Sequence, residues 1–175
     1  MNHLKIWLIL IALFLLESTI VPWLIPVAWQ TKIIVDPHFI LVTVLFIGLY
    51  MNRHTALVFG LIFGMLYDFI HYSPMLGPVS FAMGLTGYLA GLMYGRVYTS
   101  IVISMLVIAL GNLFYELIIF GLYRLFQVTH SDIEWFFFHQ MLPGMLVNLL
   151  FALAIYVPLR KMFESLPQPQ TEKDE

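Results

Sequence analysis

The chain has 175 residues, of which 61% are hydrophobic and 10% charged, less than half the charge fraction of about 25% found in soluble domains. Eight Lys and Arg against ten Asp and Glu leave no basic excess for binding nucleic acid. With no cysteine, disulfides, thiolate nucleophiles and Cys metal sites are excluded. The composition is that of an integral membrane protein, in contact with the lipid bilayer along most of its length.

Six apolar runs are expected as transmembrane helices, at residues 4–24, 37–51, 56–70, 78–94, 100–123 and 135–158. The first is interrupted by Glu17 and followed by no A-x-A-like site, so it reads as a retained helix and not a cleaved signal. Its length, ~31 Å at the helical rise, matches a hydrocarbon core of ~30 Å. Residues 22–35 carry Pro22, Trp23, Pro26 and Trp29, the makings of an interfacial loop with aromatic anchors. Asp36-Pro37 predicts an N-cap and first position for the second helix, and Asn52 to Thr55 a polar turn that caps the third. These two helices are short, ~22 Å each by the same rise, so a re-entrant pair is the alternative to two full spans. Residues 161–175, with Pro167, Pro169 and a charged end, predict a disordered cytoplasmic tail. One membrane domain, residues 1–160, holds the rest.

Placing both termini inside puts Lys5, Arg53, Arg96, Arg160, Lys161 and Lys173 on the cytoplasmic side and only Lys32 and Arg124 outside, as the positive-inside bias requires. Tyr50, Tyr94, Tyr98 and Tyr156 then mark the inner interface, and Trp23, Trp29, Tyr72, Tyr123 and Trp135 the outer.

In this orientation Glu17, Asp68 and Glu116 all fall in the outer half, with His38, His71 and His139 at the outer ends of their segments. Carboxylates inside a bilayer face protein, partner or water. Asn112 and Glu116 share a helix face one turn apart, and Asn112 and Asn148 suit interhelical hydrogen bonds. Glu17, Asn112, Glu116 and His139 are therefore candidates for an outer-side polar region. Pro143-Gly144 predicts a bend in the sixth helix.

Two small-residue rows are the clearest pattern. Gly60 and Gly64 lead to Asp68 at intervals of four, and Gly84, Gly87, Gly91 and Gly95 run along the fourth helix. Such rows let helix backbones approach closely in lipid. With Ser73, Pro74 and Gly77 they form the candidate partner or packing face. No G-x-S-x-G, H-E-x-x-H, Walker A or G-x-G-x-x-G sequence occurs, and the six histidines lack metal-ligand spacing. No enzyme activity, metal or cofactor is expected.

The succession Glu17-Ser18-Thr19, Asp36-Pro37, the Gly60, Gly64 and Asp68 row, Ser73-Pro74-Met75-Leu76-Gly77 and Gly87-Tyr88-Leu89-Ala90-Gly91 resembles the rod shape-determining protein MreD family. The resemblance covers nearly the whole chain up to the tail, although Asn52 to Thr55 replaces a more glycine-containing turn. It implies a multi-pass, non-enzymatic subunit of the bacterial cell membrane that serves cell elongation with MreC, the MreB filament and peptidoglycan synthases. It also implies a six-helix fold similar to the substrate-binding components of energy-coupling-factor transporters, which makes a small-molecule-binding transporter component the alternative function. Those components dock through A-x-x-x-A on the first helix, whereas Ala12 here is followed by Leu16.

Overall fold

The computed structural model describes residues 2–19, 36–71, 73–94 and 100–164. Among these, six helices succeed one another: α1 (Asn2–Thr19), α2 (Phe39–Tyr50), α3 (Arg53–Ile70), α4 (Pro78–Ala90, continued by a 3₁₀ turn Gly91–Met93), α5 (Ile101–Leu125), and α6. The last begins as Ile133–Phe136, passes through a π turn Phe137–Met141 and continues as Leu142–Glu164. The expected interfacial loop 22–35, the end of the first helix at 20–24, Tyr72, Gly95, Arg96, Tyr98 and the tail from 165 lie outside the described residues.

The centre of the bundle is α2. Its residues from Ile40 to Tyr50 are all buried, and it packs against each of the other five helices. A helix that is apolar on every side is stable only where protein surrounds it, which accounts for its 12-residue length. The others present one face each to it. On α1 the buried stripe is Ile6, Leu10, Phe14 and Glu17; on α3 it is Ala56, Phe59, Gly60, Phe63, Gly64, Tyr67 and Asp68; on α6 it runs from Met141 through Asn148, Ala152 and Tyr156 to Phe163. These follow the three-and-four spacing of one helix face. The opposite faces are apolar and exposed, with Leu4, Leu8 and Leu15 on α1, Ile62, Met65 and Phe69 on α3, and Leu106, Leu110 and Leu117 on α5. Arg53–Ile70, Ile101–Leu125 and Ile133–Phe163 are long and apolar enough to cross a membrane, while Ile6–Thr19, Phe39–Tyr50 and Pro78–Met93 are shorter apolar helices.

Three of the differences from the expected boundaries have a structural reason. The second helix starts at Phe39, not at Pro37, and its N-cap position is His38, which makes no side-chain cap to its own helix. The caps come from other helices, described below. The third starts at Arg53 because Asn52 Oδ1 accepts from Thr55 N at 2.7 Å, three residues earlier than residue 56. The sixth does not stop at Pro158 but runs to Glu164, so Lys161 is helical and not in a tail. Leu159 and Phe163 are buried in the core, and this packing outweighs the helix-breaking tendency of proline. Phe163 also stacks on Tyr50 at 6.2 Å. The π turn ends two residues before Pro143, whose ring would clash with the carbonyl of His139 in a regular helix.

Candidate functional site

The glycine rows have a definite place. A Cβ on Gly60 would lie 2.8 Å from Gly84 Cα, and one on Gly64 would lie 2.5 Å from Ser80 Cα, so α3 and α4 touch backbone to backbone. On the other side of α4, Gly87 meets Val44 of α2, and Gly91 meets the Arg53 backbone at the start of α3. Gly48 of α2 completes this seam against Gly87 O and Gly91 N. Gly60, Gly64, Gly84, Gly87 and Gly91 thus pack against helices of the same chain.

Asp68 belongs to the same seam. It is fully buried, and its Oδ2 accepts from Gly77 N at 2.9 Å and Ser80 N at 3.2 Å. Those are the N-cap and N3 amides of α4, which Gly77 has no side chain to satisfy. Gly77 itself sits at φ +110, a conformation that glycine adopts at no steric cost. The negative charge also lies at the positive end of the α4 dipole. Ser73 N donates to the Asp68 backbone carbonyl at 3.2 Å, closing the turn, and Pro74 is exposed on its outside. Ser80 Oγ donates to Leu61 O at 2.8 Å and ties α4 back to α3.

A second polar centre surrounds the start of α2. His38 N donates to Asn148 Oδ1 of α6 at 2.8 Å, and Ile40 N donates to Glu17 Oε2 of α1 at 3.2 Å. Asn148 Nδ2 in turn donates to Asn112 Oδ1 of α5 at 2.7 Å, and Asn112 Nδ2 donates to Ile108 O at 2.8 Å. The His38 ring carries the network further. Its Nε2 is 3.2 Å from Glu116 Oε1 and 3.9 Å from Asp36 Oδ2. Tyr115 meets the ring edge-on at 4.9 Å and Tyr67 at 5.9 Å, and Tyr67 OH donates to Asp36 Oδ1 at 3.4 Å. Glu17, His38, Asn112, Glu116 and Asn148 are all buried. Glu17 thereby pairs the Ile40 amide in the first turn of α2, and Asn148 the amide of its N-cap residue His38, groups that a helix start leaves without an intrahelical partner.

Of the four outer-side candidates, the structure brings Glu17, Asn112 and Glu116 to one level and leaves His139 out. His139 turns back on its own helix, with Nδ1 3.0 Å from Trp135 O and its ring stacked on Trp135 at 5.0 Å. Asp36, His38, Tyr67, Tyr115 and Asn148 were not among those four candidates. The one signal for Asp36, Tyr67 and Tyr115 was Asp36 and His38 standing directly before an all-apolar helix.

At the far end of α2 a smaller cluster joins three helices. Tyr50 OH lies 3.2 Å from Ser104 Oγ and donates to Tyr156 OH at 3.4 Å, and Arg160 Nη1 donates to Tyr156 OH at 3.2 Å. Both ends of α2 are therefore held by polar groups while its middle is apolar. Among the described residues no group of three or more His, Asp or Glu could hold a metal ion. The start-of-α2 centre can pair charges, exchange a proton and join four helices.

A family model described as rod shape-determining protein MreD matches residues 1–166. The rod shape-determining protein MreD of Bacillus subtilis (strain 168) is 28% identical over 133 residues, which cover 76% of this chain and 77% of that protein. No solved structure matches.

Proposed function

The chain belongs to the MreD family, and from that membership we propose that it is a non-enzymatic, multi-pass subunit of the bacterial cell-elongation machinery, linking MreC, the MreB filament and peptidoglycan synthases. The family match across residues 1–166 is the observation that carries this reading, and it supports a role in rod shape determination. The finer architecture we propose is six spans with both termini cytoplasmic, in a bundle similar to the substrate-binding components of energy-coupling-factor transporters. Support comes from the lysine and arginine distribution and from the apolar outer faces of α1, α3 and α5. The α3–α4 seam is closed within the chain, so partners are met by outward helix faces and by the ends of helices.

Depleting the protein is expected to round the cells. Unchanged rod shape and unchanged wall insertion would overturn the proposal. The buried polar centre at the start of α2 favours one second reading, a small-molecule-binding transporter component. That reading requires saturable binding of a small metabolite and co-purification of an ATPase subunit in mild detergent. Recovery of MreC in the same pull-down, without an ATPase, supports the adaptor.

A further inference from the structure

Among the described residues, the ionisable groups around His38 are mostly acidic. Glu17 approaches from α1, Glu116 and Tyr115 from α5, Tyr67 from α3 and Asp36 from the segment just before α2, while α6 contributes the neutral Asn148. Both ion pairs among the described residues are made by His38. Glu116 and Asp36 thus reach the imidazole while Glu17 holds the Ile40 amide beside it, none of the three is paired with a lysine or arginine among the described residues, and two of them, Glu17 and Glu116, are buried. Uncompensated charge in such surroundings is costly, and buried groups relieve it by taking up protons.

Two atoms have capacity for one. His38 Nδ1 and Glu17 Oε1 are buried and have no hydrogen-bond partner, although both belong to side chains otherwise engaged. The cluster also has an opening. The Asp36 side chain is 44% exposed and stands 3.9 Å from the His38 ring, so one carboxylate lies between the protein surface and the buried imidazole.

We infer that His38, Glu116 and Glu17 form a proton-binding site, loaded through Asp36, whose occupancy sets how firmly α1, α5 and α6 hold the start of α2. With the proton bound, the Nε2–H donor to Glu116 is charge-assisted. With the proton lost through Asp36, the Glu116 carboxylate is left against a neutral ring, with Glu17 close by on the Ile40 amide. The bundle is then firmer at low pH and loosens as pH rises. This does not depend on the cell-shape role, which can fail while the pH response stands.

The test is thermal unfolding of the full-length protein in lipid nanodiscs from about pH 5 to about pH 9, the range in which histidine charge is usually decided. The wild type is expected to lose roughly 4–10 °C in midpoint toward high pH, the shift that one charge-assisted hydrogen bond gives in a chain of this size. His38→Gln and Glu116→Gln should flatten the profile, whereas His139→Gln should keep it. Where either variant fails to fold, NMR of ¹⁵N-histidine-labelled wild type and of the surface variant Asp36→Asn decides. One histidine should titrate slowly, with its midpoint displaced in Asp36→Asn. A flat wild-type profile, a wild-type profile in His38→Gln, or histidine titrations unmoved by Asp36→Asn would each overturn the inference.

Discussion

Replacing Asp68 by alanine removes one oxygen that serves two amides at once, Gly77 N at 2.9 Å and Ser80 N at 3.2 Å. Hydrogen bonds to a charged partner contribute about 1.5–3 kcal/mol each, and loss of a helix N-cap costs about 0.5–2 kcal/mol. The two amides share a single acceptor and sit in one turn, so their losses overlap, and about 2–4 kcal/mol is expected for the pair. Asp68→Asn keeps an oxygen of the same reach, and asparagine caps as well as aspartate. Its cost should stay at about 1 kcal/mol. For a chain of this length each kcal/mol lowers the melting midpoint by about 2–4 °C. Thermal unfolding in mild detergent should therefore show Asp68→Ala lower by roughly 4–16 °C and Asp68→Asn by less than about 4 °C. An alanine variant that melts with the wild type, or an asparagine variant as damaged as the alanine one, would refute the capping argument.

The seam predicts a contrast between glycines: Gly64→Ala must separate α3 from α4 and lower both yield and melting midpoint, whereas Gly121→Ala, with nothing within 4 Å of its added carbon, should be neutral or better in the same assays. The Asn112–Asn148 bond at 2.7 Å should give a coupling of about 0.6 kcal/mol, and no more than about 1.7, in a double-mutant cycle with leucine. Additive single variants would show that the bond carries no net stability. Removing the Tyr156 hydroxyl with Tyr156→Phe leaves Tyr50 its Ser104 partner, so a loss of about 0.5–1.5 kcal/mol is expected, measured by the same unfolding.

Much of the architecture was readable from periodicity. The six apolar runs correspond to six helices, and the Asn52 cap was visible because side-chain capping is local. The start of α2 was not. Asp36-Pro37 has good local cap chemistry, but the amides concerned are met by Glu17 and Asn148, residues distant in the chain that no local pattern links to them. The same limit applies to Asp68. Its alignment with Gly60 and Gly64 showed the face, yet its task concerns the amides of the next helix. His139 looked equivalent to Glu17 and Glu116 by depth alone, and depth carries no information about which way a side chain turns. Pro158 suggested a stop because proline disfavours helix interiors; the burial of Leu159 and Phe163 beyond it is a tertiary fact.

The brevity of α2 bears on how the protein is built. Twelve residues reach only ~18 Å, too little to cross a hydrocarbon core of ~30 Å unaided, so this segment is a poor candidate for independent insertion. It can enter the bilayer with its hairpin partner α3. Even then the amide of its N-cap residue His38 waits for Asn148, 110 residues further along the chain. The middle of the domain is thus completed by its last helix, and a chain released from the ribosome before α6 is made would carry an unfinished centre into the membrane.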